Sequence, residues 1–92
     1  MVHGSVAVEP FVYIHSIKTN GDFYADDFLS ANFIEANGHV ELGQNSQVLC
    51  IVANSLTVGY NSIVNKVKVT GTVRIPKDFN GTIVEAKNIE YY

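Results

Sequence analysis

The chain has 92 residues, 47% of them hydrophobic and 16% charged, and nine acids against six bases leave a net charge of −3. That composition excludes a disordered chain, the acidic balance excludes the basic patch that a nucleic-acid partner needs, and no apolar run is long enough for a transmembrane helix. The length allows one domain over residues 1–92, near the lower limit for burying a core unaided.

In chain order the apolar pattern is a short text that keeps returning. A partial first copy is Val2 followed by Val6-Ala7-Val8. The next are Ile17-Lys18-Thr19 with Phe23-Tyr24-Ala25, Ile34-Glu35-Ala36 with Val40-Glu41-Leu42, and Ile51-Val52-Ala53 with Leu56-Thr57-Val58. Val67-Lys68-Val69 with Val73-Arg74-Ile75 follows, and Val84-Glu85-Ala86 with Ile89-Glu90-Tyr91 closes the series. The first anchors fall at 17, 34, 51, 67 and 84, and the second at 6, 23, 40, 56, 73 and 89. Two columns that keep one rhythm and share one slip mark a repeat architecture. Within each copy the alternation has period two and is rich in β-branched residues, which predicts strands with one buried face and no helix. A third strand is expected between copies, at Val12–Ile14, Phe28–Ala31, Gln47–Cys50, Ile63–Lys66 and Gly81–Ile83.

Between the two columns lie the corner positions His3-Gly4, Asn20-Gly21, Asn37-Gly38, Asn54-Ser55, Thr70-Gly71 and Lys87-Asn88. Gly and Asn tolerate a left-handed backbone, so this corner is expected to need φ > 0 in every coil, with Asn20, Asn37 and Asn54 stacked as a hydrogen-bonded ladder and Gly21, Gly38, Gly71 and Asn88 beside them. Three strands and three corners per 16–17 residues predict a single all-β parallel β-helix of about six coils, expected to be right-handed by the general preference of parallel crossovers. A sandwich of antiparallel hairpins would not place one residue type every 17 positions.

The stretch Gln47–Tyr92, with Ile51-Val-Ala-Asn-Ser-Leu-Thr-Val-Gly59 and Gly81-Thr-Ile-Val-Glu-Ala-Lys-Asn-Ile-Glu-Tyr91, resembles the bactofilins, a bacterial family of polymer-forming cytoskeletal proteins. The resemblance implies a right-handed β-helix, filaments built end to end without nucleotide, and a cytoplasmic scaffold that is often apposed to membrane, although no membrane-binding segment is visible in these residues.

The expected function is therefore self-assembly through terminal coils, with the chain itself as partner. One contact is expected at Val2, Val6, Val8 and Phe11, and the other at Ile89, Tyr91 and Tyr92. The alternative is a β-solenoid binding module, such as a piece of a surface adhesin or phage fibre. No enzyme, cofactor or metal site is expected. His3, His15 and His39 fall in different columns, Cys50 has no aligned His and is expected to point inward, and Asp22, Asp26 and Asp27 lack calcium-loop spacing. A single cysteine and no basic-then-apolar leader point to the cytoplasm. Lys18 is expected beside Glu35, and Lys68 beside Glu85, on neighbouring coils.

Overall fold

A computed structural model describes residues 6–92 as eleven strands and no helix. Val2, His3 and Gly4, named above, lie outside the described residues. Short strands alternate with long ones along the chain. The short ones are β1 (Val6–Val8), β3 (Phe23–Ala25), β5 (His39–Glu41), β7 (Ser55–Thr57), β9 (Thr72–Ile75) and β11 (Asn88–Tyr91). The long ones are β2 (Tyr13–Thr19), β4 (Ser30–Ala36), β6 (Gln47–Ala53), β8 (Ile63–Val69) and β10 (Asn80–Glu85). Each set forms its own parallel sheet in chain order, six strands in one and five in the other. This is a parallel β-helix.

The registers give the repeat its physical meaning. Val6, Phe23, Val40, Leu56, Val73 and Ile89 are successive partners in the short sheet. Ile17, Ile34, Ile51, Val67 and Ile83 are successive partners in the long one. Both rows point between the sheets. Phe23, Ile34, Val40, Ile51, Leu56, Val67 and Val73 are all 0% exposed, so the core is a stack of like residues contributed once per coil.

The structure corrects the expected coil in three ways. It has two strands per coil, because the expected third strand runs on without interruption into the next long strand: Val48 and Ile51 both lie in β6. The alternation breaks there because two adjacent side chains, Leu49 and Cys50, stay out of the core between buried Val48 and buried Ile51. Cys50 is thus half-buried on the outer surface, in register with Phe33 and Lys66, and does not point inward. The count is five complete turns plus the strand β11.

The third correction concerns the corner. Gly21, Gly38 and Gly71 do not have positive φ. Gly71 is required by close approach instead: a Cβ there would lie 2.6 Å from the Asn54 carbonyl oxygen, which accepts the Gly71 N–H at 2.7 Å. The left-handed residues form a different column, Phe11, Phe28, Asn45 and Asn61, with φ of 58–62°. They lie at the turns that lead into β2, β4, β6 and β8. The slip also falls in the corner. Ser55 is the register partner of His39, not of Gly38, and Asn88 is the partner of Thr72, not of Gly71, so the fourth and sixth corners are one residue shorter.

Gly81 alone among the described glycines has a left-handed φ, 153°, at a register shift where β10 crosses β8. Polar groups that the turns bury are satisfied: Ser46 and Ser62 hydroxyls both donate to the Gly43 carbonyl, at 3.2 and 3.0 Å.

Two substitutions test the stacked core and the tight corner by thermal or denaturant unfolding. Ile51→Ala, in the middle coil, is expected to cost about 2–5 kcal/mol. Gly71→Ala is expected to cost roughly 1–3 kcal/mol by forcing the corner away from Asn54.

Candidate functional site

Among the described residues no cleft gathers reactive groups, and no three His, Cys, Asp or Glu side chains converge as a metal site. The candidate surfaces are the two ends of the helix and the corners that run along it.

At the first described coil, Val6 and Val8 of β1 and Ile14 and Ile17 of β2 are only half-buried, although their partners one coil on include Phe23, Ala31 and Ile34, all at 3% exposure or less. At the other end Ile89 is 42% and Tyr91 60% exposed, whereas their partners Val73 and Ile75 are 0% and 2%. The same columns are therefore core in the middle and surface at the ends. A parallel sheet bonds on both edges of every strand, so β11 and β10 also present backbone groups that are unpaired among the described residues.

Two of the expected contact residues lie elsewhere. Phe11 sits on the outer corner, where its ring stacks on Phe28 with centroids 4.7 Å apart and planes 7° from parallel. Tyr92 turns back along that same corner, where its ring meets Tyr60 edge-on at 5.3 Å and its hydroxyl donates to the Val58 carbonyl. Burial against this surface, and then the neighbouring Tyr60, push the Tyr92 phenol above its ordinary value. Alignment of the turn column carries the missed signal: Phe11, Phe28, Asn45 and Asn61 recur at the steps of the core columns.

The opposite corner holds the asparagine ladder in two separate rungs. Asn37 Nδ2 donates to Asn20 Oδ1 at 3.1 Å, and Thr70 Oγ1 donates to Asn54 Oδ1 at 2.9 Å. The slip divides them, since the Asn54 N–H donates to the Gly38 carbonyl at 3.0 Å. A polar chain also crosses this corner, and the slip makes its last link, from His39 to Ser55. Tyr24 Oη donates to Asp22 Oδ2 at 3.0 Å, the His39 N–H donates to Asp22 Oδ1 at 2.8 Å, and His39 Nδ1 lies 2.7 Å from Ser55 Oγ. Asp22 meets the backbone of His39, not its ring, so the chain acts as a clamp between coils.

Surface charges follow the registers. Lys18 Nζ lies 3.2 Å from Glu35 Oε2, and Lys68 and Glu85 are register partners. Arg74 Nε also lies 3.4 Å from Glu90 Oε1. These exposed pairs are worth a few tenths of a kcal/mol each and act mainly on register. No helix among the described residues is long and apolar enough to cross a membrane.

The His39 N–H, followed by the Tyr24 hydroxyl, holds the Asp22 carboxyl below its ordinary value of 3.8. A depressed folded-state pKa means that this clamp stabilises fully above the unfolded value and is lost as pH falls through the lower folded one. Asp22→Asn keeps an acceptor but cannot titrate, so its melting temperature is expected to fall less steeply than wild type below pH 3.8, measured by circular dichroism. Set against models of protein families, curated proteins and solved structures, the chain matches none.

Proposed function

We propose that the chain is a structural, self-assembling module that forms filaments by end-to-end stacking of β-helices, without nucleotide, as a bactofilin-like cytoplasmic scaffold. The observation that carries this reading is the change of Ile89 and Tyr91 from the 0–2% exposure of their column to 42% and 60% at the last coil. One more coil in register would bury both side chains and pair the outer edge of β11. In this reading a second copy supplies it. The gain per junction is backbone pairing plus about 25 cal/mol for each Å² of apolar surface covered. In this reading the terminal coils stack without conformational change, and the filament axis would follow the β-helix axis.

A binding-module reading draws on a different feature. Outside the bend of the long strands runs an open groove of about 290 Å³, lined by Ser30, Asn32, Gln47, Leu49, Ile63 and Asn65. It carries amides and apolar groups but no charge, which suits a neutral ligand.

Negative-stain electron microscopy of the concentrated protein separates the two readings. Filaments with an axial repeat of stacked coils are expected, and Ile89→Lys with Tyr91→Lys is expected to abolish them while leaving the circular dichroism spectrum unchanged. Short monodisperse particles at every concentration would overturn the assembly reading.

A further inference from the structure

The corner that leads into the long strands carries side chains that the fold does not ask for. Phe11 and Phe28 occupy left-handed backbone, φ 60° and 62°, where the next two coils place Asn45 and Asn61. Asn visits this region readily, while a bulky side chain there is strained. Core burial does not account for that strain, because Phe11 is 76% and Phe28 45% exposed. The rings stack on each other at 4.7 Å.

Two coils further along the same corner lies a second exposed aromatic pair, Tyr60 at 48% and Tyr92 at 37%. The coil between the pairs is polar there, with exposed Gln44 and Asn45. The corner therefore reads aromatic, polar, aromatic, balanced about its third coil. A two-fold axis through that coil would bring the Phe pair of one copy onto the Tyr pair of another, and amide onto amide at the centre. One pair of exposed charges agrees with this direction. Exposed Glu9 is on the first coil and exposed Lys77 on the fifth, so an antiparallel arrangement sets each against the other. Two further acids at the Phe end are held by the chain itself: Asp27 Oδ1 accepts the Gln44 N–H and Asp26 Oδ1 the Asp27 N–H, both at 2.8 Å. Asp78, next to Lys77, is also exposed and stands in the turn column of Phe11 and Phe28.

We infer that this corner is a lateral, isologous interface on which a second copy of the chain packs antiparallel, with Phe11 and Phe28 meeting Tyr60 and Tyr92 of the other copy. It goes beyond end-to-end stacking and does not depend on it. Aromatic pairs bury large area at small entropic cost and serve as interface anchors. Side-by-side pairing along this corner leaves both helix ends free.

The test uses the full chain with its end blocked by Ile89→Lys and Tyr91→Lys, so that axial stacking contributes nothing. Sedimentation equilibrium of this protein is expected to give a dimer. Adding Phe11→Asn and Phe28→Asn is expected to weaken dimerisation at least about tenfold. The melting temperature should hold or rise, because the strained positions gain the residue their column prefers. Tyr60→Ser, at the other half of the contact, is expected to weaken the dimer without touching the Phe pair. Glu9→Lys should weaken it a few-fold, and Glu9→Lys with Lys77→Glu should restore it. A monomer at all concentrations in the end-blocked chain would overturn the inference. So would dimerisation as tight in the doubly substituted Phe variant as in its parent. Loss of filaments with the lateral dimer retained would confine the failure to the end-stacking reading, and the reverse would confine it to this one.

Discussion

Every feature of the molecule depends on parallel strands lying directly above one another at the ~4.8 Å spacing of the backbone hydrogen bond. At that spacing the side chain of one coil rests on its counterpart in the next, and the interior can close only if each column repeats a residue of similar size. Ile34, Ile51 and Val67 meet this condition in the long sheet, as do Val40, Leu56 and Val73 in the short one, and all are fully buried. A core made this way is a set of stacked columns between the two sheets, Ala31, Val48 and Val64 or Leu42, Val58 and Ile75 among them, so its cohesion comes from repetition along an axis and each coil is supported by its neighbours.

The same spacing governs the corners, where chain direction changes and backbones come nearest. At Gly71 the hydrogen bond to the coil before it leaves no room for a Cβ against Asn54. At the opposite corner the constraint is torsional, and Asn45 and Asn61 meet it with their tolerance of left-handed backbone. Phe11 and Phe28 accept the same torsion with side chains unsuited to it and leave their rings outside. A local conflict between residue and backbone, retained twice in succession, is where a surface role is to be sought.

In the proposed assembly the terminal coils and the decorated corner would supply contacts in two perpendicular directions. End contacts would extend the sheet ladder and reuse the inward columns; corner contacts would use side chains that lie outside the core. The two are chemically separate, because Ile89 and Tyr91 belong to the inward row of β11 while the four corner aromatics lie outside both sheets or fold back over the turn. The short charge ladders, Lys18 with Glu35 and Arg74 with Glu90, lie on the sheet faces.

The period, the strand class and the buried columns were legible in the residues, because a solenoid must repeat in sequence whatever it repeats in space. Ile17, Ile34, Ile51 and Val67 recur at fixed steps, and they are stacked neighbours. Other features were not legible. The bend at Leu49 and Cys50 interrupts alternation without interrupting hydrogen bonding, so one long strand reads as two. Gly looks the same in a sequence whether it is needed for torsion or for clearance, and only the distance to Asn54 distinguishes the two at Gly71. The His39–Ser55 link of the coil-to-coil clamp exists only because the slip falls inside the corner, whereas Asp22 and His39 meet across one regular repeat. The residues alone determined that like side chains pile up along one axis; the tertiary structure decided which corner is left-handed and which side chains face outward. That division is physical: periodicity is set by the identity of buried groups, whereas backbone torsion and clearance arise only when neighbouring coils touch.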